Sequence, residues 1–343
     1  MTAVTPLVHP HSAIGDFTIR DVIEGQTAGQ LIVAADDWGW WTTLLGGNTI
    51  APTTGIQHTV AEGLVRAGFL VRRGHRYQLT HTGHDVGKNR GFVRVAVRGW
   101  EPTFRQLSDS PHREYIPAAT EPGEVARGCT DIARRRPEIF EAIGHAIATG
   151  EPGCTIDLGC ADAGRVTALA GIAERERFLG VDIEDGVIAA ATAELDARGL
   201  GERITLLAGS VQPEPTPPAW LAEVDRDTVT TAMSFFLLHQ LASDGDGIAA
   251  VLRGWMDWFP NLRRLVIGDG YLLEAPSWTQ QPWFSPTYEI YHAVTGVRLW
   301  TRHEYEQAFA DLGWIVRRRL EDHTMLVTTI LELPRLSGPS ADG

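Results

Sequence analysis

At 343 residues the chain is long enough for one large domain or two ordinary ones. Apolar residues make up 43% and charged residues 21%, which excludes a disordered or fibrous chain. Forty-three acids against 30 Lys and Arg leave a net charge of −13, arguing against a general binder of nucleic acid or anionic membrane.

No apolar run reaches the roughly 18 residues needed to span a bilayer. Residues 1–15 lack both the basic start and the apolar centre of a secretion signal. Cys129, Cys154 and Cys160 are few and odd in number, so a reducing, cytoplasmic setting is expected.

The first element in chain order is the apolar stretch Thr27 to Leu45, which suits a buried helix. A second helix is expected to start at Thr53 or Thr54, with Ile56, Val60, Leu64 and Val65 on one face. Phe69 to Val71 and Tyr77 to Thr80 flank an Arg-Gly-His turn and read as a hairpin. Two helices and a hairpin give a winged-helix outline. Arg66, Arg72, Arg73 and Arg76 could meet phosphates there, but Trp38, Trp40 and Trp41 suit a buried subunit contact better. Residues 1–122 are therefore expected to be a mainly α, winged-helix dimerisation domain with a linker, its Pro-rich stretch running from Ser108 to Gly123.

Residues 123–343 alternate strands and helices. Strands are expected at Cys154 to Leu158, Arg177 to Ile183, Ile204 to Ala208 and Thr228 to Ser234. Three more follow at Arg264 to Gly268, Trp314 to Leu320 and Met325 to Leu331, the last two as an antiparallel edge hairpin. Helices over Arg165 to Arg175 and Gly186 to Arg198 separate the first three strands, implying an α/β fold with a doubly wound parallel sheet. The run Gln212 to Pro218, QPEPTPP, reads as an exposed loop.

The segment Thr155-Ile156-Asp157-Leu158-Gly159-Cys160-Ala161-Asp162-Ala163-Gly164-Arg165 joins a buried strand to a helix through a small-residue turn. Such a turn opens backbone N–H groups towards a ligand at the strand's end. The G-x-G-x-x-G of a dinucleotide site is absent. The pattern resembles motif I of the class I S-adenosylmethionine-dependent methyltransferases, a Rossmann-like, seven-stranded fold. That resemblance spans about Pro137 to Leu333 and implies S-adenosylmethionine as cofactor. It places Asp157 and Gly159 at the methionine end, Asp182 at the ribose, and Ser210 and Val211 at the adenine, with Ser234 also on the cofactor. Ala161 and Ala163 stand where glycines are usual, which is tolerable if φ stays negative. Ser210 replaces a common Asp.

His239 follows the fourth strand, Asp269 ends the fifth, and Glu289 and His292 sit three apart on an expected helix. The stretch YEIYHAVTGVRLWTRHEYEQAF, with LLHQL and VIGDG before it, resembles the bacterial 2-oxo-acid C-methyltransferases of nonproteinogenic amino-acid biosynthesis. The resemblance implies methylation of the β-carbon of a 2-oxo acid, with a divalent metal stabilising the enolate. Its expected ligands are His239, His292 and Asp269, with Glu289 as the alternative acid or proton acceptor. Trp278, Trp283, Phe284, Trp300, Phe235 and Phe236 would line an apolar pocket for a branched or aromatic side chain. Arg298 or Arg302 could pair with the substrate carboxylate. The alternative enzyme is an O-methyltransferase with His239 as general base, although Gln240 stands where that family has Asp and its following Trp is absent. The non-enzyme alternative is a cofactor-sensing regulator. The expected partners are a small-molecule substrate and a second copy in a homodimer, with neither nucleic acid nor membrane.

Overall fold

The computed structural model describes residues 19–149, 152–243, 247–273, 284–321 and 326–334. They form two compact units, one holding residues 19–111 and 117–135, the other residues 112–116 and 136 onward.

In the first unit, α1 (Ile19–Asp37) and α2 (Trp40–Leu45) replace the single helix expected to Leu45. Gly39 breaks it with a left-handed φ of 71°, a conformation that costs glycine little. Trp40 and Trp41 pack into this unit's own core rather than a subunit contact, and the Trp41 indole donates to Ile32 O at 2.9 Å. Trp38 stays 39% exposed. Thr54 caps α3 (Gly55–Arg66) by accepting from Gln57 N, and β1 (Leu70–Arg73) pairs antiparallel with β2 (Arg76–Leu79). The helices α4 (His81–Lys88), α5 (Arg90–Arg94) and α6 (Glu101–Arg105) follow, with a π-helical turn at Val95–Gly99.

The helix α7 (Pro122–Arg134) belongs to this unit, so the expected division after residue 122 moves to 135. The physical reason is Arg94, 1% exposed, whose guanidinium ion-pairs with Asp36 and Asp37 of α1 and Glu124 of α7. A buried charge needs such partners, and here they bind three helices together.

The second unit begins with α8 (Pro137–Ala148) and builds a seven-stranded sheet. Its strands are β3 (Cys154–Leu158), β4 (Arg177–Asp182), β5 (Ile204–Ala208), β6 (Val229–Phe235), β7 (Arg264–Gly270), β8 (Ile315–Glu321) and β9 (Leu326–Glu332). The order is β5-β4-β3-β6-β7-β9-β8, with β3 to β7 parallel and the last two antiparallel. The α/β expectation and the edge hairpin therefore hold.

Helices α9 (Gly164–Ala170), α10 (Asp185–Ala197), α11 (Leu238–Ser243), α12 (Ile248–Trp258), α13 (Ser285–Thr295) and α14 (Arg302–Asp311) complete this unit. Both inner strands are buried almost throughout because both sheet faces are covered: all five residues of β3 are buried, and six of seven in β6. The chain reverses direction across the sheet between β3 and β6, so the carboxyl ends of those strands open a crevice for a ligand.

Candidate active site

The turn after β3 lines that crevice. Asp157 is fully buried and turned inward, where Arg165 Nε lies 3.1 Å from its Oδ2. Burial pushes this carboxyl up to about 6 even though the Arg165 charge opposes the shift. Arg165 also donates to Gly159 O at 2.5 Å and lies 5.1 Å from the Phe235 ring centre. The carboxylate expected at the methionine end is thus paired with Arg165 across the turn.

Gly159 has a φ of 85°, and a Cβ there would sit 2.5 Å from Leu237 Cδ2. Ala161 and Ala163 have φ values of 50° and 58°, which corrects the expectation of negative φ. Both alanines carry the left-handed strain that glycine would avoid. Asp182 restrains the turn from β4, accepting from Ala161 N at 2.9 Å and Glu184 N at 3.1 Å.

Beyond β5, Ser210 Oγ accepts from Gln212 N at 3.2 Å, while Val211 buries its side chain in the core. At the end of β6, Ser234 Oγ is buried and meets no hydrogen-bond partner among the described residues. A buried hydroxyl left unsatisfied is costly, so this one suits a bound polar ligand. That observation makes the crevice chemically compatible with a nucleoside-containing cofactor.

The second half of the site grows from the end of β6. Phe236 adopts a φ of 56° and donates its N–H to Gly268 O at 2.8 Å, turning the chain sharply into α11. The turn brings His239 over Asp269 of β7. Asp269 Oδ1 lies 2.7 Å from His239 Nδ1, and Oδ2 accepts the His239 amide at 3.0 Å. Tyr305 OH donates to the same carboxylate at 2.8 Å, and Gly270 N at 2.9 Å. Burial works to raise the Asp269 carboxyl, yet His239 and these donors hold it below the ordinary carboxylate range.

His292 reaches in from α13. Its Nδ1 lies 2.7 Å from Tyr288 O, and its Nε2 lies 3.0 Å from His239 Nε2. A carboxylate and a carbonyl can only accept, so each Nδ1 carries a hydrogen and each Nε2 is turned towards the other ring. Burial, and then the neighbouring His239, press His292 down to about 3, which keeps it neutral. The two Nε2 atoms therefore face one another, an arrangement that requires a proton or a cation between them. Tyr288 OH stands 3.2 Å from His239 Nε2, and its ring centre is 4.0 Å from that of His292.

The structure thus brings His239, His292 and Asp269 together, with Glu289 8% exposed one turn before His292 on α13. The Asp269 carboxylate faces Nδ1 of His239, on the far side of the imidazole from His292. Among the described residues, no group of three His, Cys, Asp or Glu is placed to hold an ion. Arg298 pairs with Glu304 and Arg302 with Glu306 and Glu321, so neither side chain waits for a substrate carboxylate. Trp278 and Trp283 lie outside the described residues.

Three participants were not anticipated. Arg165 opens a helix like any surface residue in the sequence, and its burial depends on Asp157 across the turn. Tyr288 carried a signal, being four residues before His292 and so on the same helix face. Tyr305 gave none, because its contact with Asp269 spans 36 residues.

No family model matches the chain. It is 25% identical over 316 residues to the indolepyruvate C-methyltransferase of Streptomyces griseus, covering 88% of this chain and 91% of that protein. It is also 25% identical over 224 residues to the methyltransferase ungE' of Aspergillus campestris, covering 62% of this chain but only 63% of that protein's length. Human N-acetylserotonin methyltransferase, solved in complex with S-adenosylmethionine, shares the fold with a TM-score of 0.56 at 14% identity, over 92% of this chain and 96% of that one. With the strand order and the turn after β3, these likenesses support a class I S-adenosylmethionine-dependent methyltransferase.

Proposed function

We propose that the protein methylates the β-carbon of a 2-oxo acid with an apolar side chain, using a divalent metal. The observation that carries this reading is the opposed pair of Nε2 atoms of His239 and His292, 3.0 Å apart in a buried site. Two imidazoles suit Zn, Fe, Ni or Co alike. Both would hold the ion through Nε2, and substrate oxygens would supply further donors. Asp269 and the Tyr288 carbonyl would orient the rings from behind, fixing which nitrogen is offered. The ion supplies Lewis-acid polarisation of the ketone, and the cofactor supplies an electrophilic methyl group.

The chain's own residues supply the rest. Asp182 would accept from the ribose, Ser210 would meet the adenine, and the Gly159 turn and Ser234 would hold the methionine end. Glu289 would take the proton from the β-carbon. The released electron pair then forms the new C–C bond as the S–CH3 bond breaks, its electrons staying on sulfur as a thioether. Burial of His239, His292 and Asp269 to 2% exposure or less excludes water from that step. The 25%-identical indolepyruvate C-methyltransferase supports this choice of substrate class.

The His239–Asp269 pair favours a second reading. An imidazole held by a buried carboxylate at 2.7 Å is also the arrangement of a general base, suited to O-methylation of a phenol. His292→Ala separates the two, tested by mass spectrometry with S-adenosylmethionine and a panel of 2-oxo acids and phenols. The C-methylation reading expects one added methylene on an oxo acid, lost on chelation, restored by metal and abolished by H292A. Phenol methylation that survives both chelator and H292A would replace it with the general-base reading.

A further inference from the structure

A second cavity lies at the opposite edge of the same sheet. It has a volume of about 570 Å³, within the usual range for a small-molecule site. Cys154 and Arg177, the first residues of β3 and β4, both line it. The cofactor turn starts at Gly159, five residues further along the chain and roughly 17 Å away at the rise of a strand.

The cavity exists because the β5 to β6 connection carries no α-helix among the described residues. Only two short 3-10 turns, Ala219–Glu223 and Arg226–Thr228, cross there. The prolines between Gln212 and Pro218 forbid a regular helix in that stretch. Leu179 of β4 and Leu207 of β5 are left as a half-buried apolar floor.

The walls are charged, with opposite signs. Arg175 and Arg177 line the cavity from the β4 side, and Glu223, Asp225 and Asp227 from the connection. None of these five side chains makes an ion pair among the described residues, although all line one space. Burial first, then Glu176, push the Cys154 thiol up to about 12, and on it Arg177 and Asp225 act in opposite senses.

We propose that this cavity binds a free α-amino acid with an apolar side chain. The carboxylate meets Arg175 and Arg177, the ammonium meets Asp225 and Asp227, and the side chain rests on Leu179 and Leu207. A ligand of single charge would be repelled by one wall, whereas a zwitterion satisfies both. None of the reacting groups stands at this edge, so the bound amino acid acts as an effector and not as the methyl acceptor.

The test is calorimetric titration of the full chain, first saturated with S-adenosylhomocysteine, with L-leucine and L-phenylalanine. Saturable binding of at least one of them is expected. Arg177→Gln and Asp225→Asn should each weaken it about tenfold, the loss of one charge-assisted bond. The oxo acid and the amine sharing leucine's side chain each lack one charge and should bind more weakly than leucine. Both variants should bind S-adenosylhomocysteine normally, which shows that they fold. No saturable heat with either amino acid, or binding that both variants leave unchanged, would overturn the proposal. Failure to bind S-adenosylhomocysteine would count against the methyltransferase reading alone.

Discussion

Asp269 accepts bonds from an imidazole, two backbone amides and a phenol, and that full complement keeps it charged inside the protein. Of these, only the Tyr305 phenol can be removed without touching the backbone or the reacting ring. Tyr305→Phe leaves a buried carboxylate one donor short, a loss of about 1.5–3 kcal/mol for a bond to a charged group. Turnover is expected to fall about tenfold as His239 loses its fixed orientation. The KM for S-adenosylmethionine should stay unchanged, since Tyr305 lies on the β7 side of the site. Steady-state kinetics with either substrate varied would show it, and a raised cofactor KM with normal turnover would contradict this role.

At the level of elements, the two strand-to-helix turns do most to shape the site, and both hold left-handed residues that are not glycine. Phe236 turns β6 into α11, while Ala161 and Ala163 turn β3 into α9. An alanine in that region costs roughly 1–2 kcal/mol, and a glycine in its place gives back about 0.5–1 kcal/mol of backbone entropy. Ala161→Gly, at a half-buried position, should therefore stabilise the protein slightly, by up to about 1 kcal/mol. A higher urea midpoint with unchanged slope is the expected result. A lower midpoint would mean that the alanine methyl contributes more packing than its strain costs.

For the whole molecule, the open question is what covers the start of α1. Ile19, Val22 and Ile23 fall three and four residues apart and are 75%, 49% and 60% exposed. Such a stripe on a helix marks a contact surface. A second copy of the chain is our proposed occupant. Light scattering should then give twice 37.6 kDa, and Ile19→Glu with Ile23→Glu should shift the protein towards the monomer. A monomer at all concentrations would rule out the dimer. No helix among the described residues is long and apolar enough to cross a membrane.

Local signals alone settled much of this protein. Short strand-like runs such as Cys154 to Leu158, separated by helical stretches, marked the parallel strands. The strand-turn-helix after Asp157 and the His292 helix were readable for the same reason: their chemistry lies within a few residues. The break at Gly39 was missed, since a single glycine does not reveal its φ. Long-range partners decided the rest. Asp157 turned inward because Arg165 neutralises it, and α7 joined the first unit because Arg94 needed Glu124. Asp269 meets Nδ1 of His239 because the turn at Phe236 presents the ring to it from that side. Propensity acts between neighbours in the chain, whereas charge compensation and lone-pair direction depend on which groups the fold brings within about 3 Å of one another.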